Sequence, residues 1–129
     1  MSSTSAPVKV FIADDSALIQ ERVAAMLVSR GMSVVGHAET PQSSIDAILA
    51  SSPDVVVLDV QLAGGPGLQV LRAVRQAAPE IAFVVFSSHS GLAFRKRYLG
   101  EGATAFLDKN AEFEQLVSAV ALASRHAAP

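Results

Sequence analysis

Apolar residues in this chain come in short runs, separated by segments in which they recur every three or four positions. VKVFIA (8–13) is one such run and reads as a strand; the segment 16–30 that follows sets Ile19, Val23, Met26 and Leu27 at helical spacing. MSVVGHA (32–38) reads as a second strand. TPQSSIDAILAS (40–51) opens with a Thr cap and a Pro at the first helical position, then carries Ile45, Ile48 and Leu49 as a stripe. DVVVLD (54–59) is apolar up to its last residue, as expected of a strand covered on both faces. Behind a glycine-rich turn, Leu68, Leu71 and Val74 mark a third helix. IAFVVFS (81–87) is a fourth strand, 90–100 a weaker helix, and ATAFL (103–107) a fifth strand. Phe113, Leu116, Val117 and Val120 share one face of a last helix, which Asn110 is placed to cap.

A strand–helix unit repeated five times predicts an α/β fold whose parallel sheet carries helices on both faces. No linker, repeat or low-complexity block divides the chain. Residues 1–129 are therefore read as a single domain with a core of about 8–123 and untethered ends at 1–6 and about the last five residues. Half the residues are hydrophobic and 17% are charged, which excludes a disordered chain. The net charge of −2 gives no basic footprint for nucleic acid, and with no cysteine there is neither a disulfide framework nor a thiolate metal site. No secretory leader or membrane span is read, so a cytoplasmic location without membrane contact is expected.

In an open parallel sheet, ligands gather beyond the carboxyl ends of the strands. The first strand ends in Asp14-Asp15, the third in Asp59, the fourth in Ser87-Ser88 and the fifth in Asp108-Lys109. Three of these carboxylates brought together repel and need a countercharge. A hard divalent cation, Mg²⁺ or Mn²⁺, supplies it; Lys109 adds a point charge suited to phosphate, and a Ser hydroxyl donates to a phosphoryl oxygen. Such a set suits a phosphoryl group held on or near a carboxylate, and an Asp can itself be the nucleophile.

With these motifs in place, the chain resembles a response-regulator receiver (CheY-like) domain of two-component signalling, from about Val8 to Ala123. The resemblance implies a doubly wound, flavodoxin-like (βα)5 fold with strand order 2-1-3-4-5. It also implies Mg²⁺ on Asp14 and Asp15, phosphoacceptor Asp59 within PDVVVLD, and a metal contact from the Gln61 backbone carbonyl. Ser87 and Lys109 fall on the family's phosphoryl-binding positions, with Ser88 where Ala is frequent, and Phe106 falls on its aromatic switch, expected to turn inward as Ser87 approaches the phosphoryl group. Gln61 and His89 occupy positions that tune water access. Arg95, Lys96 and Arg97 lie on the usual partner surface, which also serves phosphorylated members that dimerise. Asn110 stands where Pro is frequent, leaving both isomers of the preceding peptide open.

Each residue also has a plain reading. Asp15 is a favoured helix cap, Asp59 a turn former, Ser87 and Ser88 satisfiers of turn backbone groups, and a run of cations usually a solvated face. GGPG (64–67) lacks a P-loop's ending and reads as a tight turn; His37, His89 and His126 are dispersed. Taken together, the residues predict a phosphorylation-controlled switch rather than an enzyme. Its partners would be a sensor histidine kinase or a histidine phosphotransfer protein, followed by an unidentified downstream protein. With no output domain read after Ala123, a stand-alone receiver without direct nucleic-acid binding is favoured over the receiver of a DNA-binding regulator. An aspartyl phosphatase of the haloacid-dehalogenase type ranks lower, because Gln61 stands where its second acid is needed.

Overall fold

The computed structural model describes residues 6–127. Five strands, β1 (Lys9–Ala13), β2 (Ser33–Ala38), β3 (Val55–Leu58), β4 (Ala82–Ser87) and β5 (Ala105–Asp108), form one parallel sheet ordered β2-β1-β3-β4-β5. The helices are α1 (Ala17–Ser29), α2 (Pro41–Ser51), α3 (Gly67–Ala77), α4 (Leu92–Gly100) and α5 (Leu116–Ala127), the last entered through a 3₁₀ turn at Phe113–Gln115. This is the doubly wound arrangement expected. The expectations about residues 1–5 and 128–129 lie outside the described residues, as does the His126 side chain. Among the described residues no helix is long and apolar enough to cross a membrane.

Two apolar layers form because side chains alternate along each strand. Val10, Ile12, Val55, Val57, Val84 and Phe86 pack with Val23 and Leu27 of α1 and Leu116 and Val120 of α5. Phe11, Val56, Leu58, Phe83 and Val85 face the other way, onto Ile48 of α2, Val70, Leu71 and Val74 of α3, and Tyr98 of α4. All four residues of β3, the central strand, are buried, which explains its unbroken apolar run.

Local chemistry sets the helix starts, in two places against expectation. Thr40 caps α2 through a capping box with Ser43, and Pro41 takes the first helical position as predicted. For α1 the cap is Ser16, whose Oγ accepts from Ile19 N–H at 3.2 Å, so Asp15 is left out of the capping. Asn110 does not cap α5. Its amide donates to Asp108 Oδ1 at 2.7 Å in a turn, and the helical residues begin only at Phe113. The described residues contain no cis peptide, so the bond before Asn110 is trans. The turn read at GGPG is a small antiparallel hairpin, Gln61–Leu62 against Gly65–Pro66, with Gly64 at φ +87°, where a side chain would be strained.

Candidate functional site

Strand register assembles the site. Ala13 pairs with Leu58 across β1 and β3, so Asp14 and Asp59 emerge side by side, and Asp59 N–H donates to the Ala13 carbonyl at 3.0 Å. Ser87 pairs with Asp108 across β4 and β5, and Lys109 N–H donates to the Ser87 carbonyl at 3.1 Å. Asp14, Asp59, Ser87 and Lys109 are thus carried to one sheet edge by the same ladder that builds the core.

Lys109 Nζ lies 2.7 Å from Asp14 Oδ2 and 3.0 Å from Asp59 Oδ2, bridging the two carboxylates. Asp14 and Asp59 are 3% and 6% exposed. Asp14 Oδ1 accepts from Ser16 N–H at 2.9 Å, and Asp59 Oδ1 from Val60 N–H at 2.7 Å. Burial is the largest influence on Asp14 and, despite the hydrogen bonds from Lys109 and Ser16, raises its carboxyl above the ordinary aspartate range. On Lys109 burial acts downward, but the hydrogen bonds and charges of Asp14 and Asp59 outweigh it and the net shift is upward. The lysine therefore stays charged where it is needed.

Asp15 is exposed beside this pair, and one carboxylate oxygen each from Asp14, Asp15 and Asp59 lie within 4.8 Å of one another. Three hard oxygen donors at that separation fit Mg²⁺ or Mn²⁺. Ser87 is fully buried, its Oγ accepting from His89 N–H at 3.1 Å, while Ser88 is exposed. Gln61 is exposed in the hairpin, its amide donating to the Leu62 carbonyl at 3.3 Å. His89 is exposed, its ring edge-on to Phe94 at 6.0 Å. Both are exposed, whereas Asp14, Asp59 and Lys109 form the buried centre.

Two further regions bear on the switch surface. The cations of α4 are not a uniform solvated run. Arg95 donates to the Phe106 carbonyl at 2.9 Å, lies 5.2 Å from that ring's centroid and pairs with Glu112 at 3.7 Å. Arg97 lies 3.8 Å from Glu101, and among the described residues Lys96 makes no ion pair. Phe106 is already turned inward, 3% exposed, edge-on to Tyr98 with centroids 6.1 Å apart. From this conformation an inward rotation of Phe106 is not the available movement.

Three further residues organise the site, two of them unread in the sequence and Asp108 read there only as a strand end. Gln20 of α1 donates its side-chain amide to the Asp14 carbonyl. Asp108 accepts from the Ser90 hydroxyl and from Asn110 and Ala111 N–H, tying the loop after β4 to the loop after β5. The Ser90 contact is the largest cause of its lowered pKa. Tyr98 donates its hydroxyl to the Val60 carbonyl at 3.3 Å, from 38 residues away. A lone tyrosine closing a run of cations was the only signal of it.

Comparison with known proteins gives a consistent result. The family described as response regulator receiver domain matches residues 10–121. The response regulator GacA of Pseudomonas aeruginosa is 31% identical over 114 residues, 88% of this chain and 53% of that protein. A protein named probable transcriptional regulatory protein NarL, from Mycobacterium tuberculosis, is 34% identical over 114 residues, again 88% of this chain and 53% of the relative. This chain thus spans about half the length of these relatives. Among solved structures, the signal receiver domain of the M. tuberculosis response regulator NarL aligns with TM-score 0.83 and 32% identity, covering 94% of this chain and 98% of that one. A LuxR-family two-component response regulator from Aurantimonas sp. SI85-9A1 aligns with TM-score 0.87 and 25% identity, covering 92% and 86%. A buried aspartate pair bridged by a lysine, on a 2-1-3-4-5 sheet that the family matches almost end to end, makes this chain a member of the response regulator receiver domain family.

Proposed function

We propose that this domain is a phosphoacceptor switch in which Asp59 takes a phosphoryl group from the phosphohistidine of a sensor kinase or phosphotransfer protein. The observation that carries this reading is Lys109 Nζ held against both Asp14 and Asp59, a cation fixed where negative charge collects. An Asp59 carboxylate oxygen attacks phosphorus; the P–N bond breaks, and its electron pair stays on the imidazole nitrogen. Val60 N–H and Lys109 hold the Asp59 carboxylate through separate oxygens, which fixes its orientation before attack. A divalent cation held by Asp14, Asp15 and Asp59 supplies, when bound, positive charge against the phosphoryl oxygens. Lys109 offers charge from its own side, and the Ser87 hydroxyl is the donor for a phosphoryl oxygen once it releases its local contact. The domain catalyses only its own phosphorylation and dephosphorylation, with Gln61 and His89 at the rim tuning the approach of water.

Output passes through the surface of α4, β5 and α5 by protein contact, including pairing with a second phosphorylated copy. The relatives named as transcriptional regulators, about twice this length, support a second reading in which that surface controls a DNA-binding partner domain. Incubation with a small acyl phosphate and Mg²⁺, followed by intact mass, tests the primary reading. Wild type gains one phosphoryl group, chelation prevents the gain, and Asp59→Asn shows none; equal gain by Asp59→Asn refutes it.

A further inference from the structure

The helix nearest the proposed output surface has the weakest hold on the core. Tyr98, 2% exposed, is the one buried residue of α4. Leu92, Phe94 and Leu99 on the same helix are exposed by 67%, 42% and 40%. Arg95 ties α4 to β5 from outside, but a single side chain anchors the helix in the core, and that side chain reaches the acceptor. Its hydroxyl donates to the Val60 carbonyl at 3.3 Å, and the N–H of the same residue donates to Asp59 Oδ1 at 2.7 Å. Gly67 N–H holds the Val60 carbonyl at 2.7 Å, so the longer tyrosine contact is the weaker of the two and the first to yield. The Tyr98 ring packs on Phe106, which Arg95, one turn earlier on α4, covers from above.

We propose that Tyr98 is a positioning residue that couples the phosphorylation state of Asp59 to the seating of α4 through the Val60 residue between them. The inference rests on Asp59 being the phosphoacceptor. An ionised Asp59 fixes the 59–60 peptide through the Val60 N–H, and the Val60 carbonyl, one Cα further on, is thereby held in place for the Tyr98 hydroxyl. Conversion of the Asp59 carboxylate to the acyl phosphate moves the negative charge onto the phosphoryl oxygens and leaves Val60 N–H with a weaker, uncharged acceptor, which loosens the Val60 backbone and frees the tyrosine hydroxyl. Because Phe106 is already inward, release of Tyr98 is the change open to this conformation. It lets α4 shift relative to β5, altering the exposed apolar residues a partner meets.

The chain has one tyrosine and no tryptophan, so its near-ultraviolet tyrosine signal reports Tyr98 alone. The full chain is titrated with beryllofluoride, a phosphoryl mimic, in Mg²⁺, while fluorine resonances of the bound mimic measure occupancy. Wild type shows a tyrosine difference signal that saturates with occupancy. Bound mimic with an unchanged tyrosine signal overturns the coupling and leaves the phosphoacceptor reading standing; absence of bound mimic removes both. Tyr98→Phe keeps the ring and deletes the hydroxyl. It binds the mimic as wild type does, but the change in amide exchange across α4 between free and bound states shrinks by about half or more, since the anchor no longer reads Val60. A purely structural role would shift exchange equally in both states. An undiminished difference in Tyr98→Phe also contradicts the proposal.

Discussion

Lys109 is the residue on which the electrostatics of the site turns. Its side chain is 11% exposed and faces the side chains of Asp14 and Asp59, themselves only 4% and 8% exposed, so its removal strands two buried carboxylates. Lys109→Met is expected to lower unfolding free energy in chelator by about 3 kcal/mol, with part of the loss recovered by Mg²⁺; denaturant titration with and without the cation measures both. Asp14 acts in the opposite sense. Its carboxyl is raised from 3.8, so the fold prefers it protonated. That contribution is fully present below 3.8 and is lost as pH rises through the higher folded value. Asp14→Asn is therefore expected to raise the thermal midpoint of the metal-free protein at neutral pH, with the gap to wild type narrowing as pH falls toward 3.8. A gap that widens on acidification sinks this account of Asp14. A site that costs stability in order to hold a ligand is the pattern this sign describes.

Among the elements, the approach of α3 to β3 is the least forgiving. A Cβ on Gly67 would sit 2.0 Å from the Asp59 carbonyl oxygen, backbone that cannot move without displacing Asp59. Gly67→Ala is expected to cost about 3 kcal/mol or more and to lower phosphorylation of the folded fraction, checked by denaturation and intact mass together. Helix α2 offers the converse. Ser44 is fully buried and its hydroxyl has no hydrogen-bond partner among the described residues, so Ser44→Ala should stabilise the fold by about 1 kcal/mol, read as a higher denaturant midpoint at unchanged slope. Elements with strong apolar periods were legible from sequence: β3 and α2 match to within a residue or two. The hairpin at 61–66 was not, because two residues per strand carry no period, and the capping of α1 was not, because Asp15 and Ser16 are both good caps and only geometry selects one.

For the whole molecule, the strand ends could be read because an apolar run that stops at a polar residue marks where the sheet meets solvent. Their convergence needed the strand order, which came from family resemblance and not from the residues alone. What no local pattern encodes is a hydrogen bond between residues 38 apart, so Tyr98 became visible only in three dimensions. The register that places Asp59 beside Asp14 and Lys109 beyond Ser87 is the central structural fact, and the function we propose from it is a phosphoryl group on Asp59 and nowhere else. Borohydride reduction after treatment with acyl phosphate and Mg²⁺ converts an aspartyl phosphate to homoserine, which peptide mass mapping locates. The account predicts homoserine at position 59 alone, dependent on Mg²⁺; homoserine at another aspartate, or none with the protein folded and the cation present, contradicts it.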